Sequence, residues 1–160
     1  MYKIIFVCEW NTCRSAMAKY IFKNLVRTHK QDDKIFTDSA GCRVRYPESI
    51  GRRTAATLQA QNIPIDENHR SSPFTLQKYN DFDCVIALDD VTLKILKRIS
   101  HGDPENKIHL FKDGDGNDIS VADPGPAGEH LKAFTEISLG CQNLLSKNFC
   151  NFKRENFIGR

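Results

Sequence analysis

Cys8 closes the apolar run "IIFVC", and after Glu9, Trp10, Asn11, Thr12 and Cys13 the chain presents Arg14 and Ser15. A thiol, a short polar loop and an arginine at that spacing suit nucleophilic attack on a bound oxyanion. A short loop wrapped over a helix N-terminus turns several backbone N–H groups into one cradle, where the helix dipole favours negative charge. Three oxygens of a phosphate fit such a cradle. Arg14 grips two of them bidentately, which a lysine cannot do. The same field favours a thiolate at the base of the cradle, and a thiolate beneath a phosphate is an in-line nucleophile. Ser15 can donate its hydroxyl to the Cys8 sulfur and support it as nucleophile and later as leaving group; its other reading is a helix cap. Asn11 stands in mid-loop, where the chain must turn sharply, and Asn tolerates left-handed backbone angles better than most residues.

Expelling an alkoxide or phenolate from phosphorus needs a proton, and hydrolysing the resulting thiophosphate needs a base for water. One carboxyl group serves both steps. Two Asp-Pro pairs offer one, at Asp103 and Asp123. "HGDPENK" reads as a tight polar turn, where Asp and Pro are structural. "VADPGPAG" lies in a long loop ahead of the last helix and can reach over the sheet edge, so Asp123 is the expected acid and base. Asp89-Asp90 read as a helix cap and loop anchor. "DGDGND" (113–118) reads as a Gly/Asp turn and not a calcium loop, because Asp118 and Pro124 occupy positions that need Gly and Glu.

These residues need a frame. "YKIIFV" (2–7), "KIFTDSAG" (34–41), "DFDCVIALD" (81–89) and "KIHLF" (107–111) read as strands. Helical patterns over 15–26, 49–61, 90–99 and 129–147 alternate with them, the last showing a stripe through Leu131, Phe134, Ile137, Leu144 and Leu145. Strand and helix in alternation imply parallel pairing with right-handed crossovers, hence a single-domain α/β open three-layer sandwich with helices on both faces. Sites in such sheets lie beyond the strand C-termini, where Cys8 falls. Residues 1–150 form the expected domain and 151–160 a polar tail.

The 160 residues suffice for one domain with a real core. A net charge of +3 with dispersed lysines and arginines argues against nucleic acid as partner. No run of about eighteen apolar residues occurs and the N-terminus is no signal peptide, so the expectation is a cytoplasmic protein without a membrane partner. The six cysteines (Cys8, Cys13, Cys42, Cys84, Cys141, Cys150) lack a secreted, loop-rich setting, which favours free thiols. No C-x-x-C pair and no His/Cys cluster with zinc-ligand spacing is present, so neither metal nor cofactor is expected.

"VCEWNTCRSAMA" resembles the C-x-x-N-x-C-R-S signature of the low-molecular-weight protein tyrosine phosphatases. "DSAG" (38–41), "NHRSSPFT" (68–75), "FDCVIALDDVTLKIL" (82–96) and "VADPGPAG" (121–128) fall in family order over nearly the whole chain. The resemblance implies a four-stranded parallel sheet of order 2-1-3-4 and a reaction through a cysteinyl-phosphate without metal. It implies Cys8, Arg14 and Asp123 as catalytic residues, with Glu9, Trp10, Asn11, Thr12, Cys13, Arg14 and Ser15 forming the phosphate site. Asn11 would be held by a serine after the second strand, matching Ser39, and by a histidine matching His69 across a one-residue insertion. The implied partner is a phosphotyrosine protein or a small aryl phosphate, with phosphate, sulfate or vanadate able to occupy the loop of a monomer.

Two positions depart from that pattern. Family loops usually carry Gly where this chain has Trp10, and Gly125-Pro126 replace an aromatic pair after Asp-Pro. Trp10, with Tyr46, is therefore expected to supply the aromatic wall. Glu9 is expected to face solvent, where it either favours a basic residue near the phosphotyrosine or has no role. Cys13 is expected to resolve an oxidised Cys8 as a disulfide. Two alternatives share the loop: an arsenate reductase, which needs two further thiols although Cys84 is followed by none until Cys141, and a catalytically weak phosphotyrosine-binding regulator.

Overall fold

The structure, a computed structural model, describes residues 1–125 and 128–147. Pro126, Cys150 and the 151–160 tail therefore lie outside the described residues. Four parallel strands, β1 (Tyr2–Cys8), β2 (Ile35–Gly41), β3 (Cys84–Ala87) and β4 (Ile108–Leu110), form one sheet in the order β2-β1-β3-β4. The connecting helices are α1 (Arg14–Thr28), α2 (Arg52–Ala60), α3 (Leu76–Asp81), α4 (Asp90–Ile99) and α5 (His130–Lys147). The expected sheet order and helix-flanked layers are present.

The two-residue period of β1 builds both halves of the core. Ile4, Phe6 and Cys8 face the side covered by α1, α2 and α5, where Met17, Phe22, Leu58, Ile137 and Leu144 are buried. Ile5 and Val7 face the other side, against Phe74, Tyr79, Phe82 and Leu96. A strand buried on both faces reads as a continuous apolar run, which is what a parallel sheet requires. β1 pairs with β2 on one flank and β3 on the other, and Cys8 aligns with Gly41 at the end of the ladder. The chain thus leaves β1 at the point where successive connections diverge, a position that opens a crevice.

Several boundaries differ from the sequence reading. α3 was not anticipated: it has six residues, only Tyr79 of them is buried, and its start is fixed by the Thr75 hydroxyl accepting the Lys78 N–H. Six residues are too few for a helical period to show. α2 begins at Arg52 and not near Ser49, because Gly51 takes a non-helical ψ of 138° as the cap residue, its N–H bound to the Thr12 carbonyl at 2.8 Å. On α5 the buried stripe runs through Ala133, Ile137, Cys141 and Leu144, and Leu131 is exposed. Among the described residues Cys8, Cys13, Cys42 and Cys141 are free, whereas Cys84, fully buried on β3, is disulfide-bonded, against the expectation of free thiols.

Candidate active site

The segment from Cys8 to Ser15 curls back on itself with its carbonyls turned outward. The Cys8, Glu9 and Thr12 carbonyls accept the N–H groups of Cys42, Arg43 and Gly51 at 2.8–2.9 Å, and the Cys13 carbonyl accepts that of Met17. The Asn11 carbonyl faces His69 Nε2 at 3.0 Å. With the carbonyls held from behind, N–H groups are left for the inside: those of Asn11 and Ser15 each point at Cys8 Sγ from 3.4 Å. Cys13, at the cap of α1, makes no side-chain bond to the first turn, so that turn has no competing acceptor of its own. Gly41 is required behind this loop, since a Cβ there would meet the Glu9 carbonyl oxygen at 2.7 Å.

Asn11 is the hub. Its φ of 61° places it in the left-handed region, as the sharp turn demands. Its Oδ1 accepts the Ser72 N–H at 3.1 Å, which leaves Nδ2 to donate to Ser15 Oγ and Ser39 Oγ, both at 2.9 Å. Because Ser15 Oγ accepts from Asn11, its own proton is free to point at Cys8 Sγ, 3.0 Å away. Ser15 is thus a partner of the thiol, not a helix cap. Ser39 lies within β2 and not after it. Trp10 lies outside the left-handed region, so its side chain is accommodated there without strain.

His69 has a defined proton arrangement. A carbonyl only accepts, so Nε2 carries the hydrogen toward Asn11, and Nδ1 accepts from the Tyr20 hydroxyl at 3.2 Å. Burial holds the His69 pKa below its ordinary value, consistent with a neutral ring. Tyr20 was missed in the sequence, where it reads as one more residue of an apolar helix face.

Arg14 is buried, with Nη1 donating to Asp89 Oδ2 at 2.5 Å and to the Val121 carbonyl at 2.9 Å. Burial by itself would lower the Arg14 pKa, but Cys8 and Asp89 outweigh it and the value stays above the ordinary one. Asp89 also caps α4 through the Thr92 N–H at 2.7 Å. Burial opposes its charge, yet the Thr92 and Arg14 contacts hold its pKa below the usual carboxylate value. The sequence showed the cap and not the clamp, because nothing in the local pattern around residue 89 points to residue 14.

Asp123 is exposed and accepts the Gly125 N–H at 3.0 Å. Its charge is felt by both Arg14 and Cys13. The loop carrying it is tied to the end of β3, with the Val121 N–H on the Leu88 carbonyl at 2.8 Å and Ser120 Oγ donating to Asp90 at 2.8 Å. Asp103, by contrast, is a turn residue: its carboxylate takes the Tyr79 hydroxyl and the Lys107 and Ile108 N–H groups. Asp113 likewise closes the Gly/Asp turn by accepting the Asp115 and Asn117 N–H groups.

Glu9 is not turned to solvent. It is half-buried between Arg14 (3.9 Å) and Arg43 (3.7 Å), two guanidiniums that hold it at the loop. Trp10 and Tyr46 both line a depression of about 60 Å³, together with Arg45 and Glu48. Burial pushes the Cys13 thiol up to about 11, so it is protonated at neutral pH and slow to attack an oxidised Cys8. Cys42, which sequence reasoning left without a role, supports the Cys8 carbonyl through its backbone N–H. No helix among the described residues is long and apolar enough to cross a membrane.

Residues 3–155 match the family model for low molecular weight phosphotyrosine protein phosphatase. The low molecular weight protein-tyrosine-phosphatase YfkJ of Bacillus subtilis is 30% identical over 151 residues, covering 91% of this chain and 95% of YfkJ. Its crystal structure superposes with a TM-score of 0.87 at 28% identity, over 96% of this chain and 98% of that one. SP-PTP, a low molecular weight protein tyrosine phosphatase from Streptococcus pyogenes, gives 0.83 at 29% identity, over 97% and 96%. The YwlE arginine phosphatase from Geobacillus stearothermophilus gives 0.78 at 26%, over 92% and 93%. With its loop, its sheet order and these matches taken together, the chain belongs to the low molecular weight phosphotyrosine protein phosphatase family.

Proposed function

We propose that the protein hydrolyses phosphotyrosine and related aryl phosphate monoesters, without metal, by two displacements at phosphorus. A phosphate dianion occupies the cradle made by residues 9–15, held by inward N–H groups and by Arg14. The Cys8 thiolate attacks in line, forming the S–P bond as the bond to the phenolic oxygen breaks, and Asp123 protonates the departing phenolate. Ser15 supports the sulfur by its hydroxyl. Asp123, now a carboxylate, takes a proton from water as that water attacks the phosphocysteine, which releases phosphate and regenerates the thiolate. Trp10 and Tyr46 form the aromatic wall. The protein acts as a monomer in the cytoplasm, and phosphate, sulfate or vanadate competes for the loop.

The observation that carries this reading is the orientation of the loop: carbonyls bound on the outside, N–H groups and a hydroxyl converging on one sulfur. The test is hydrolysis of p-nitrophenyl phosphate. Wild type turns it over and is inhibited by vanadate, Cys8→Ser is inert, and Asp123→Ala loses on the order of 10²- to 10⁴-fold in kcat. Turnover that survives Cys8→Ser defeats the mechanism. A phosphoarginine peptide run beside a phosphotyrosine peptide decides between the two activities named for the solved relatives.

A further inference from the structure

We propose that the physiological substrate carries acidic side chains beside its phosphorylated residue, read by a rim of arginines on the β2 side of the mouth. The proposal rests on the phosphotyrosine reading above and names the substrate class within it.

The exit loops stand across the mouth in strand order, and their charges are unevenly shared. Residues 42–53, which leave β2 and enter α2, carry Arg43, Arg45, Arg52 and Arg53 against a single carboxylate, Glu48. This segment is sewn to the catalytic loop at both ends, by Cys42 and Arg43 to the Cys8 and Glu9 carbonyls and by Gly51 to that of Thr12. Its arginines are therefore held beside the phosphate cradle. Arg45 lines, with Glu48, the depression beside Trp10 and Tyr46, and Arg70 is tied to the same segment through Ser49 Oγ at 3.2 Å. The opposite flank, beyond β3 and β4, carries Asp89, Asp90 and Asp123.

Glu9 decides the sign. Facing solvent, it would have favoured a basic neighbour on the substrate. Instead it lies between Arg14 and Arg43, and its charge is answered inside the protein. Arg45, Arg52, Arg53 and Arg70 are exposed and in no ion pair among the described residues. Exposed charges contribute little to folding but steer charged partners and set their orientation, in a salt-dependent way. A peptide with its phosphotyrosine over Cys8 thus gains from acidic residues lying toward β2. Acidic residues lying toward Asp123 gain nothing.

The experiment compares kcat/KM for three phosphotyrosine peptides of equal length, flanked by acidic, by uncharged or by lysine residues, with p-nitrophenyl phosphate as a substrate without flanks. The acidic peptide is expected to exceed the uncharged one about tenfold at low salt and the lysine peptide to fall below it. The spread should shrink at about 0.5 M NaCl. In the triple variant Arg45→Gln, Arg52→Gln, Arg53→Gln the acidic peptide drops to the uncharged level, while p-nitrophenyl phosphate hydrolysis stays within about twofold. Equal rates on the three peptides in wild type, or a preference that survives the triple variant, overturn the proposal alone. A wild type inert on all four compounds overturns the phosphatase reading with it.

Discussion

Cys8 owes its setting to a relay of residues, most of which do not touch it. Asn11 orients Ser15 toward the sulfur, His69 holds the Asn11 carbonyl, and Tyr20 fixes which nitrogen of His69 carries the proton. Removing the Tyr20 hydroxyl leaves the buried His69 Nδ1 without a partner. Tyr20→Phe should therefore cost about 1–3 kcal/mol, measured as a lower denaturant midpoint at unchanged m-value. The His69 ring nitrogens should also change their ¹⁵N shifts as the tautomer loosens. A variant as stable as wild type with unchanged shifts would show that the hydroxyl does not set the tautomer. The triplet of thiol, arginine and serine was readable from spacing alone. Tyr20 was not, because its role depends on a loop brought up from 49 positions away.

At the scale of elements, the site is held by loop ends more than by helices. Asp89 couples two jobs that separate by mutation, capping α4 and clamping Arg14. Asp89→Asn keeps a good capping residue, so its thermal stability should remain near wild type while kcat/KM falls about tenfold through the weakened clamp. Asp89→Ala should lose about 1 kcal/mol of stability as well. Equal kcat/KM in wild type and both variants would show that Arg14 is positioned by the Val121 carbonyl alone. The strands and long helices were legible because apolar period and turn residues agree there. α3 was hidden by its brevity, and the start of α2 by a hydrogen bond to Thr12. The solvent-facing expectation for Glu9 failed for a similar reason: Arg43 reaches it only after β2 has paired with β1.

For the molecule as a whole, buried His69 and half-buried His109 shape the pH response near neutrality. Burial holds His69 and His109 below their ordinary value. The unfolded chain therefore binds protons near its own histidine pKa that the folded chain refuses. Their contribution to stability is complete above that value and falls as pH drops through it. Thermal denaturation at about pH 7.5 and about pH 5.5 should show the lower midpoint at the lower pH; a higher midpoint there would contradict the assignment of neutral rings. The sheet order, with β1 between β2 and β3, gathers the Cys8–Ser15 loop, the Asp89 clamp and the Asp123 loop at one edge, and the chemistry proposed above depends on that convergence. It is tested most directly by acid-quenching wild type during turnover of p-nitrophenyl phosphate and mapping the digested protein by mass spectrometry. One phosphoryl group on Cys8, absent from Cys8→Ser, is the predicted result. Rapid turnover with no phosphoryl group on any cysteine, or with the label on another residue, would contradict the account.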